Sequence, residues 1–243
     1  MPLPGAELLA WLESNGYPTS VSELSRAISL PRGTLRNQIA RNSVAETTVV
    51  ALARAYGGNV LRALGSFEAY AGLADESRGP LPAEVLSQIH YSDVLAELLA
   101  RSGRASAWDL RGRELVGIPH EESVRSWLDA VDSGELRRRV SEETGVATNN
   151  ISTQLTHNRL SPDLAYAASR LAGVSLASGF VVTGLISPAE GLWPARAREE
   201  SLLEASDEDL LSEAQDRLSM LQRLVRRRRA AADLETKLSE FLG

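Results

Sequence analysis

The chain repeats itself at a spacing of 116 residues, and this repeat limits the possible folds more than any other feature of the sequence. Without a gap, the shift superimposes identical or similar residues over roughly fifty positions. The matched pairs are Trp11 and Trp127, Leu12 and Leu128, Leu24 and Val140, Ser25 and Ser141, Leu30 and Val146, Leu35 and Ile151, Gln38 and Gln154, Ile39 and Leu155, Asn42 and Asn158, Ala51 and Ala167, Arg54 and Arg170, and Gly57 and Gly173. Because helix lengths and turns keep register, an internal duplication of one helical unit is the simplest explanation.

Residues 20–42 of the first copy have the pattern of two short helices joined by a tight turn. Ser20 and Glu23 have the spacing of a capping box, so a helix should begin here. Pro31 suits the first turn of a second helix, because an amide is not needed there. Apolar residues at helical spacing predict a buried side that contains Leu24, Ala27, Ile28, Leu35 and Ile39.

The outer face of the second helix in this pair is polar and cationic. It should expose Arg32, Gly33, Thr34, Arg36, Asn37 and Arg41. Arginine, asparagine and threonine are residue types that contact phosphates and base edges in DNA grooves. A single such pair is equally consistent with two core helices whose arginines are only solvated, since helix pairs are common.

The second copy favours the DNA-reading interpretation. Its corresponding helix runs from Ala147 to His157 and should expose Thr148, Asn149, Asn150, Ser152, Thr153 and His157. Asparagine, serine and threonine compete for backbone hydrogen bonds, so a short helix of this composition is a poor surface helix without a partner. Polar faces at equivalent positions of a duplicated unit therefore predict two DNA-reading heads.

Both copies resemble the helix-turn-helix domains of the lambda-repressor-like family, also called Cro/C1 or XRE. Such domains have five short helices, of which the second and third form the DNA-reading pair. The runs Ile28–Arg36 and Glu143–Ser152 match the family's turn and the start of its recognition helix, and residues 45–56 and 161–172, each followed by glycine, match its fourth helix. The family's frequent Glu-Arg-Gly after the recognition helix is absent at residues 40–42 and 156–158. The two-headed arrangement is also loosely similar to the immunity repressors of actinobacterial temperate phages.

Composition limits the class of protein further. A chain of 243 residues, 43% hydrophobic and 24% charged, is typical of a soluble globular protein with room for about two domains. Its 25 arginines and single lysine are typical of a GC-rich genome, and the lack of cysteine excludes a thiolate zinc finger. No signal peptide and no apolar run of membrane-spanning length is evident, so we expect a cytoplasmic protein without a membrane partner.

The net charge of -6 conceals a local balance of the opposite sign. Residues 20–62 contain six arginines and two glutamates, and residues 136–178 contain five arginines and three acidic residues. Both copies are therefore basic, and the acidic total does not exclude nucleic-acid binding.

The predicted fold class is all-α, with two lambda-repressor-like helix-turn-helix domains joined by a helical linker and followed by a long C-terminal helix. The predicted domains are an N-terminal helix-turn-helix domain at residues 1–73, a helical linker at 74–120, a second helix-turn-helix domain at 121–186, and a connector with a C-terminal oligomerisation helix at 187–243. Charge, glycine and proline at residues 74–82 predict that the linker begins there.

The linker should contain a helix from Pro82 to Arg101 that breaks near residues 91–93, where Ser92 could cap its second part. An apolar connector should follow, with Trp108, Leu110, Leu115 and Val116. The isolated His90 and His120 lack the partners of a metal site or a general base, so structural or solvent roles are expected. The arginines at 137–139 either face a DNA backbone or pair with Glu142 and Glu143.

Ser206 and the acidic residues 207–209 predict the start of the long C-terminal helix. Its coiled-coil-like apolar stripe contains Leu211, Ala214, Leu218, Leu221 and Val225, and a second stripe contains Ala231, Leu234, Leu238 and Phe241. The arginines at 226–229 either bind phosphate or face the acidic stretch 207–216 of an antiparallel partner helix, which the opposite charges favour. We therefore expect a homo-oligomer formed through this helix.

The sequence offers no motif of an enzyme or a cofactor site: it has no glycine-rich phosphate loop, no Gly-x-Ser-x-Gly and no carboxylate–histidine cluster at metal spacing. It predicts a sequence-specific regulator of transcription that binds double-stranded DNA, as a phage or prophage immunity repressor does. The alternatives are an interaction protein that kept the helical folds and binds other proteins through its C-terminal helix, or a partition or replication factor.

Overall fold

A computed structural model describes residues 3–103 and 114–242; within the last helix, it describes side chains at 207–219, 221, 222, 225, 226 and 229. The described residues form helices and no strands, apart from a backbone bridge between Leu3 and Val44. The helices are α1 (Gly5–Ser14), α2 (Val21–Ala27), α3 (Arg32–Ala40), α4 (Glu46–Ala55), α5 (Val60–Gly65), a 3-10 segment (Glu68–Leu73), α6 (Pro82–Ser87), α7 (Tyr91–Arg101), α8 (Ser123–Val131), α9 (Leu136–Thr144), α10 (Thr148–Thr156), α11 (Pro162–Ala172), α12 (Ser178–Val182), α13 (Ala197–Glu204) and α14 (Asp207–Leu242). The predicted all-α class is confirmed.

The 116-residue repeat in the sequence is also a repeat of structure. Helices α1–α5 form repeat 1 and helices α8–α12 form repeat 2, and α10 begins and ends 116 residues after α3. Left-handed backbone conformations recur at three pairs of equivalent positions: Ser29 and Gly145 (φ 54° and 70°), Asn42 and Asn158 (51° and 49°), and Gly57 and Gly173 (67° and 73°). Since few non-glycine residues adopt such φ values, the matching pairs indicate that the turns have the same geometry.

Equivalent glutamines connect the third helix of each repeat to the start of the fourth. Gln38 Oε1 accepts hydrogen bonds from Thr48 Oγ1 at 2.9 Å and from the Ala45 amide at 3.5 Å. Gln154 Oε1 accepts one from the Ser161 amide at 2.8 Å. These bonds satisfy amides at helix starts, which lack partners within their own helices.

Equivalent asparagines connect the end of the third helix to the start of the first. Asn42 Oδ1 accepts a 2.7 Å hydrogen bond from the Gly5 amide, and Asn158 Oδ1 accepts a 3.0 Å bond from the Val124 amide. In repeat 1 the two helices approach closely, because a Cβ added at Gly5 would lie 2.7 Å from the Ile39 carbonyl oxygen. The position of α3 and α10 is thus fixed at their C-terminal ends by side chains that the duplication preserves.

Two of the predicted helix caps are wrong. Helix α2 begins at Val21 as predicted, but the Ser20 side chain makes no capping hydrogen bond, and its backbone carbonyl accepts from the Glu23 amide at 2.9 Å. The break in the 82–101 helix is confirmed, yet the residue that caps α7 is His90, whose Nδ1 accepts from the Ser92 amide at 3.3 Å. Hydroxyl groups are frequent caps, but here the His90 ring nitrogen accepts from the amide of Ser92 itself, which places the cap two residues before the predicted one.

The chain divides into two compact units. Unit 1 comprises Met1–Gln88 and Gly117–Ala197 and contains both repeats together with α6; unit 2 comprises Ile89–Val116 and Arg198–Gly243. The sequence had predicted two domains separated by a linker at 74–120, whereas both repeats belong to one unit. Of the predicted apolar connector, Trp108 and Leu110 lie outside the described residues.

Unit 2 contains α7 and α14, which pack against each other. Ser206 caps α14 as predicted, since its Oγ accepts from the Asp209 amide at 3.1 Å. The buried face of α14 contains Leu210, Ala214 and Arg217, and of these only Ala214 belongs to the predicted stripe. The predicted stripe is instead largely exposed: Leu211, Leu218 and Val225 have exposed fractions of 53%, 40% and 39%. The side chains of the second predicted stripe, Ala231, Leu234, Leu238 and Phe241, and those of Arg227 and Arg228 lie outside the described ones.

Arg217 can be buried because its guanidinium donates hydrogen bonds to both a backbone carbonyl and a carboxylate. Its guanidinium donates to the Ile89 carbonyl, which lies in the break between α6 and α7, and to Glu213 Oε2 at 3.0 and 3.1 Å. Only 1% of Arg217 is exposed. A buried guanidinium is tolerated when its donors are paired, as they are here.

Candidate nucleic-acid interface

Helix α3 presents every predicted contact residue of repeat 1 to solvent. Its apolar side is anchored by the fully buried Leu35 and the half-buried Ile39. The exposed face contains Arg32, Gly33, Thr34, Arg36, Asn37 and Arg41. Among the ion pairs of the described residues, none involves the arginines of this face, so their guanidinium groups remain solvated and able to bind a ligand.

A shallow polar hollow of about 260 Å³ lies along the C-terminal half of α3. Its lining residues are Thr34, Asn37, Gln38, Arg41 and Ser43. They supply a guanidinium, two amides and two hydroxyls, which together offer both donors and acceptors. The hollow therefore suits a polar, anionic surface better than an apolar one.

Helix α10 presents the predicted contact residues of repeat 2 in the same way. It is anchored by the buried Ile151 and Leu155. The exposed residues are Thr148, Asn149, Asn150, Ser152, Thr153 and His157. The Thr153 hydroxyl donates to the Asn149 carbonyl at 2.8 Å, so its proton is already used within the helix. The Asn149 and Asn150 side-chain amides make no hydrogen bond among the described residues and keep both donor and acceptor groups for a ligand.

The arginines that precede this helix mostly pair with neighbouring acids. Arg137 forms an ion pair with Asp129, and Arg138 forms ion pairs with Glu135 and Glu142. Glu143 pairs with Arg170. Of the two interpretations of the 137–139 run, the structure supports the paired, solvated face for Arg137 and Arg138. Arg139 is exposed and takes part in no ion pair of the described residues.

An aromatic cluster joins the two repeats inside unit 1. Tyr70, 1% exposed, packs edge-on against Tyr166 and Phe180 at ring-centroid distances of 5.2 and 5.4 Å. Its hydroxyl donates to Glu46 Oε1 at 2.8 Å. Burial, with the nearby Glu46 carboxylate, raises the pKa of Tyr70 above its ordinary value, so the phenol stays neutral at physiological pH.

The stretch 74–82, predicted as a linker, packs against repeat 2. The Glu76 carboxylate accepts a 2.7 Å hydrogen bond from the Leu176 amide and forms a 3.1 Å ion pair with Arg78. Burial alone would raise the pKa of Glu76, but hydrogen bonds from Arg78 and the Leu176 amide outweigh it and lower the pKa. The charge and proline content of residues 74–82 predicted a linker, whereas Glu76 within this stretch makes ordered contacts with repeat 2.

Two further long-range contacts hold unit 1 together, and sequence reasoning identified neither. Arg54 donates two 2.7 Å hydrogen bonds to the carboxylate of Glu190. These bonds lower the pKa of Glu190 to about 2 in spite of its partial burial. On α6, the fully buried Glu84 accepts a 2.9 Å hydrogen bond from the Trp127 indole nitrogen. The one available signal was a glutamate within the first turn of a helix, which predicts a cap and not a bond to a distant tryptophan.

Both histidines outside the candidate faces have structural roles in the hydrogen bonding of the backbone, as predicted. His90 caps α7, and His120 Nδ1 accepts from the Glu122 amide at 3.3 Å. Within the described part of the chain, no three histidine, cysteine or acidic residues are grouped as metal ligands would be. None of the helices described combines the length and apolar character of a membrane span.

Comparison of the chain with protein-family models, with curated proteins and with solved structures gives no match.

Proposed function

We propose that this protein is a sequence-specific transcriptional regulator that binds double-stranded DNA through α3 and α10, in the manner of a phage or prophage immunity repressor. The observation that carries the proposal is the matched pair of third helices. Each is anchored by apolar residues on one side and by a glutamine and an asparagine at its end, and each leaves its predicted polar face in solvent. A duplicated unit has no structural need for two such faces.

The two faces suit different bases. The Arg32 and Arg36 guanidiniums match the paired acceptors of guanine, whereas the Asn149 and Asn150 amides match the donor and acceptor of adenine. Arg41, exposed at the end of α3, and Arg139, exposed within α9, are suited to phosphates. A chain with two unlike heads selects a bipartite site with different half-sites.

A second copy of the chain is the proposed protein partner. Leu211, Leu218 and Val225 are exposed at seven-residue intervals on α14, the spacing of a coiled-coil seam. An antiparallel copy centred on Leu218 would place Asp207 opposite Arg229, because both lie eleven residues from it. A parallel copy would place the arginines at 226–229 against each other, so charge favours the antiparallel pair.

Selection from a pool of randomised duplexes tests the proposal. The protein should enrich a site of two unlike halves. Arg36→Ala and Asn150→Ala should each weaken binding by about 1–3 kcal/mol and relax preference at different base positions. Arg62→Ala, at an exposed arginine outside both faces, is the matched control and should bind like the parent. If both face variants relax the same positions, or the pool yields no enriched sequence, the proposal is wrong.

The alternative of a protein-interaction module predicts the opposite result. Such a protein would show no enrichment of DNA sequence, while its α14 stripe would still support association. The exposed stripe is the observation that favours this alternative.

A further inference from the structure

The two repeats hold the segment before their first helix in different ways. In repeat 1, Leu3 and Val44 exchange backbone hydrogen bonds of 3.0 and 2.8 Å, which connect the start of the repeat to the segment after α3. The 116-residue shift places Pro119 and Leu160 at these positions in repeat 2. Because proline has no amide hydrogen to donate, the same pair of hydrogen bonds cannot form there. The segment before α8 must therefore be held in another way.

In repeat 2 the side chain of Asn158 makes this connection. Its Nδ2 donates a 2.8 Å hydrogen bond to the His120 carbonyl, and its Oδ1 accepts a 3.0 Å hydrogen bond from the Val124 amide. Asn42, the equivalent residue of repeat 1, accepts from the Gly5 amide through Oδ1, but its Nδ2 donates to no group among the described residues. The duplicated asparagines therefore share the acceptor contact, and only Asn158 also uses its donor.

The carbonyl that Asn158 binds is itself held in place within repeat 2. The backbone amide of His120 donates a 2.7 Å hydrogen bond to Ser123 Oγ. The preceding residue packs closely on the turn after α12, because a Cβ added at Gly184 would lie 2.9 Å from Pro119 Cγ. The His120 carbonyl is thus a fixed point to which Asn158 connects the end of α10.

The position of Asn158 gives this connection leverage over the predicted contact residues of α10. The helix ends at Thr156, and Asn158 follows with φ 49°, a left-handed conformation that is common after helix ends. Asn150 precedes Asn158 by eight residues, or about 12 Å along the helix. A tilt of α10 by about 5° about this end would therefore move Asn150 by about 1 Å. A binding contact needs its groups placed to within about 0.5 Å.

We propose that Asn158 is a positioning residue for DNA reading by α10, and that it acts through the hydrogen bond from its Nδ2 to the His120 carbonyl. The inference deepens the proposed function and rests on it. The equivalent Asn42 has no such role, because the backbone hydrogen bonds between Leu3 and Val44 already connect the matching segments of repeat 1. Loss of the Asn158 donor should therefore affect only the half-site that α10 reads.

Aspartate at the two equivalent positions provides a matched test. Asn158→Asp keeps the shape of the side chain and its acceptor for the Val124 amide, but it replaces the Nδ2 donor by an oxygen that faces the His120 carbonyl. Asn42→Asp makes the same change of charge and keeps its one hydrogen bond, from the Gly5 amide. Because both variants add one negative charge, the general loss of DNA affinity is common to both.

Fluorescence anisotropy of the full chain on labelled duplexes gives a discrimination ratio for each half-site, which is the affinity for the selected sequence divided by the affinity after one base-pair substitution. Asn158→Asp should lower this ratio about fivefold or more at the base pairs that Asn150→Ala relaxes, and Asn42→Asp should lower it nowhere. A reduced folded fraction weakens both affinities alike, so the ratio reports the position of α10 and not stability. If the aspartate variant does not fold, Asn158→Gly suits the left-handed φ, removes the same donor and should give the same loss.

Three results would overturn the inference. An unchanged ratio in Asn158→Asp would show that this asparagine is only structural. Equal losses in Asn158→Asp and Asn42→Asp, each at its own half-site, would show that the two asparagines have the same role. In both cases the parent protein still selects DNA, and the proposed function survives. If the parent discriminates at no base pair, the proposed function and this inference fail together.

Discussion

Replacing Trp127 with phenylalanine should destabilise the protein more than the same change at Trp11, although the two tryptophans are equivalent in the two repeats. Trp127 donates a 2.9 Å hydrogen bond to Glu84, and neither side chain is exposed. Trp11, 7% exposed, donates no indole hydrogen bond among the described residues. The smaller ring costs about 1–2 kcal/mol of packing at either site. Only Trp127→Phe strands a buried carboxylate oxygen, which costs about 1–3 kcal/mol more.

Urea unfolding followed by far-ultraviolet circular dichroism measures the difference without relying on tryptophan fluorescence. Adding Glu84→Leu to Trp127→Phe should recover part of the loss, since both polar partners are then gone. Recovery is partial because Glu84 Oε2 also accepts a 2.8 Å hydrogen bond from the Leu81 amide. Equal losses for Trp127→Phe and Trp11→Phe would refute the reasoning.

Two further predictions concern an ion pair and the α14 stripe. Because the pKa of Glu190 is lowered to about 2, its pairing with Arg54 stabilises the fold above about pH 4.5, and this contribution is lost as the pH falls through 2. Because Arg54 is 49% exposed, Glu190→Gln should lower the free energy of unfolding by only about 1 kcal/mol at pH 7. Urea unfolding at pH 7 and at pH 2 should show that this difference between variant and parent shrinks in acid. Leu218→Arg should lower the mass in sedimentation equilibrium, whereas Leu203→Arg, at an exposed leucine off the stripe, should not. Equal masses for both variants and the parent would contradict self-association through α14.

Features set by local spacing could be predicted from the sequence. The duplication, the start of α2 and the exposed faces of α3 and α10 all follow from which residues recur at helical intervals. Gln38 and Asn42 were matched to Gln154 and Asn158 by sequence alone, and the structure adds why. The glutamines accept hydrogen bonds from the equivalent amides of Ala45 and Ser161, and the asparagines accept from amides in the first turns of α1 and α8.

Features set by distant partners could not be predicted. From the sequence alone, Arg217 is expected at the surface. It is buried because it donates to the Ile89 carbonyl, which lies in a helix break more than a hundred residues earlier in the chain. Similarly, Glu76 has the composition of a linker residue, and its burial depends on the Leu176 amide in the other repeat. Long-range hydrogen bonds of this kind leave no periodic signal in a sequence.

The salt dependence of binding tests the central claim most directly, because it reports contact between the arginine faces and phosphates. If the heads neutralise about six phosphates, the logarithm of the binding constant for the selected site should fall with the logarithm of salt concentration with a slope of about -5. Arg41→Ala should reduce the steepness by about one unit. A slope near zero would show that α3 and α10 do not bind DNA.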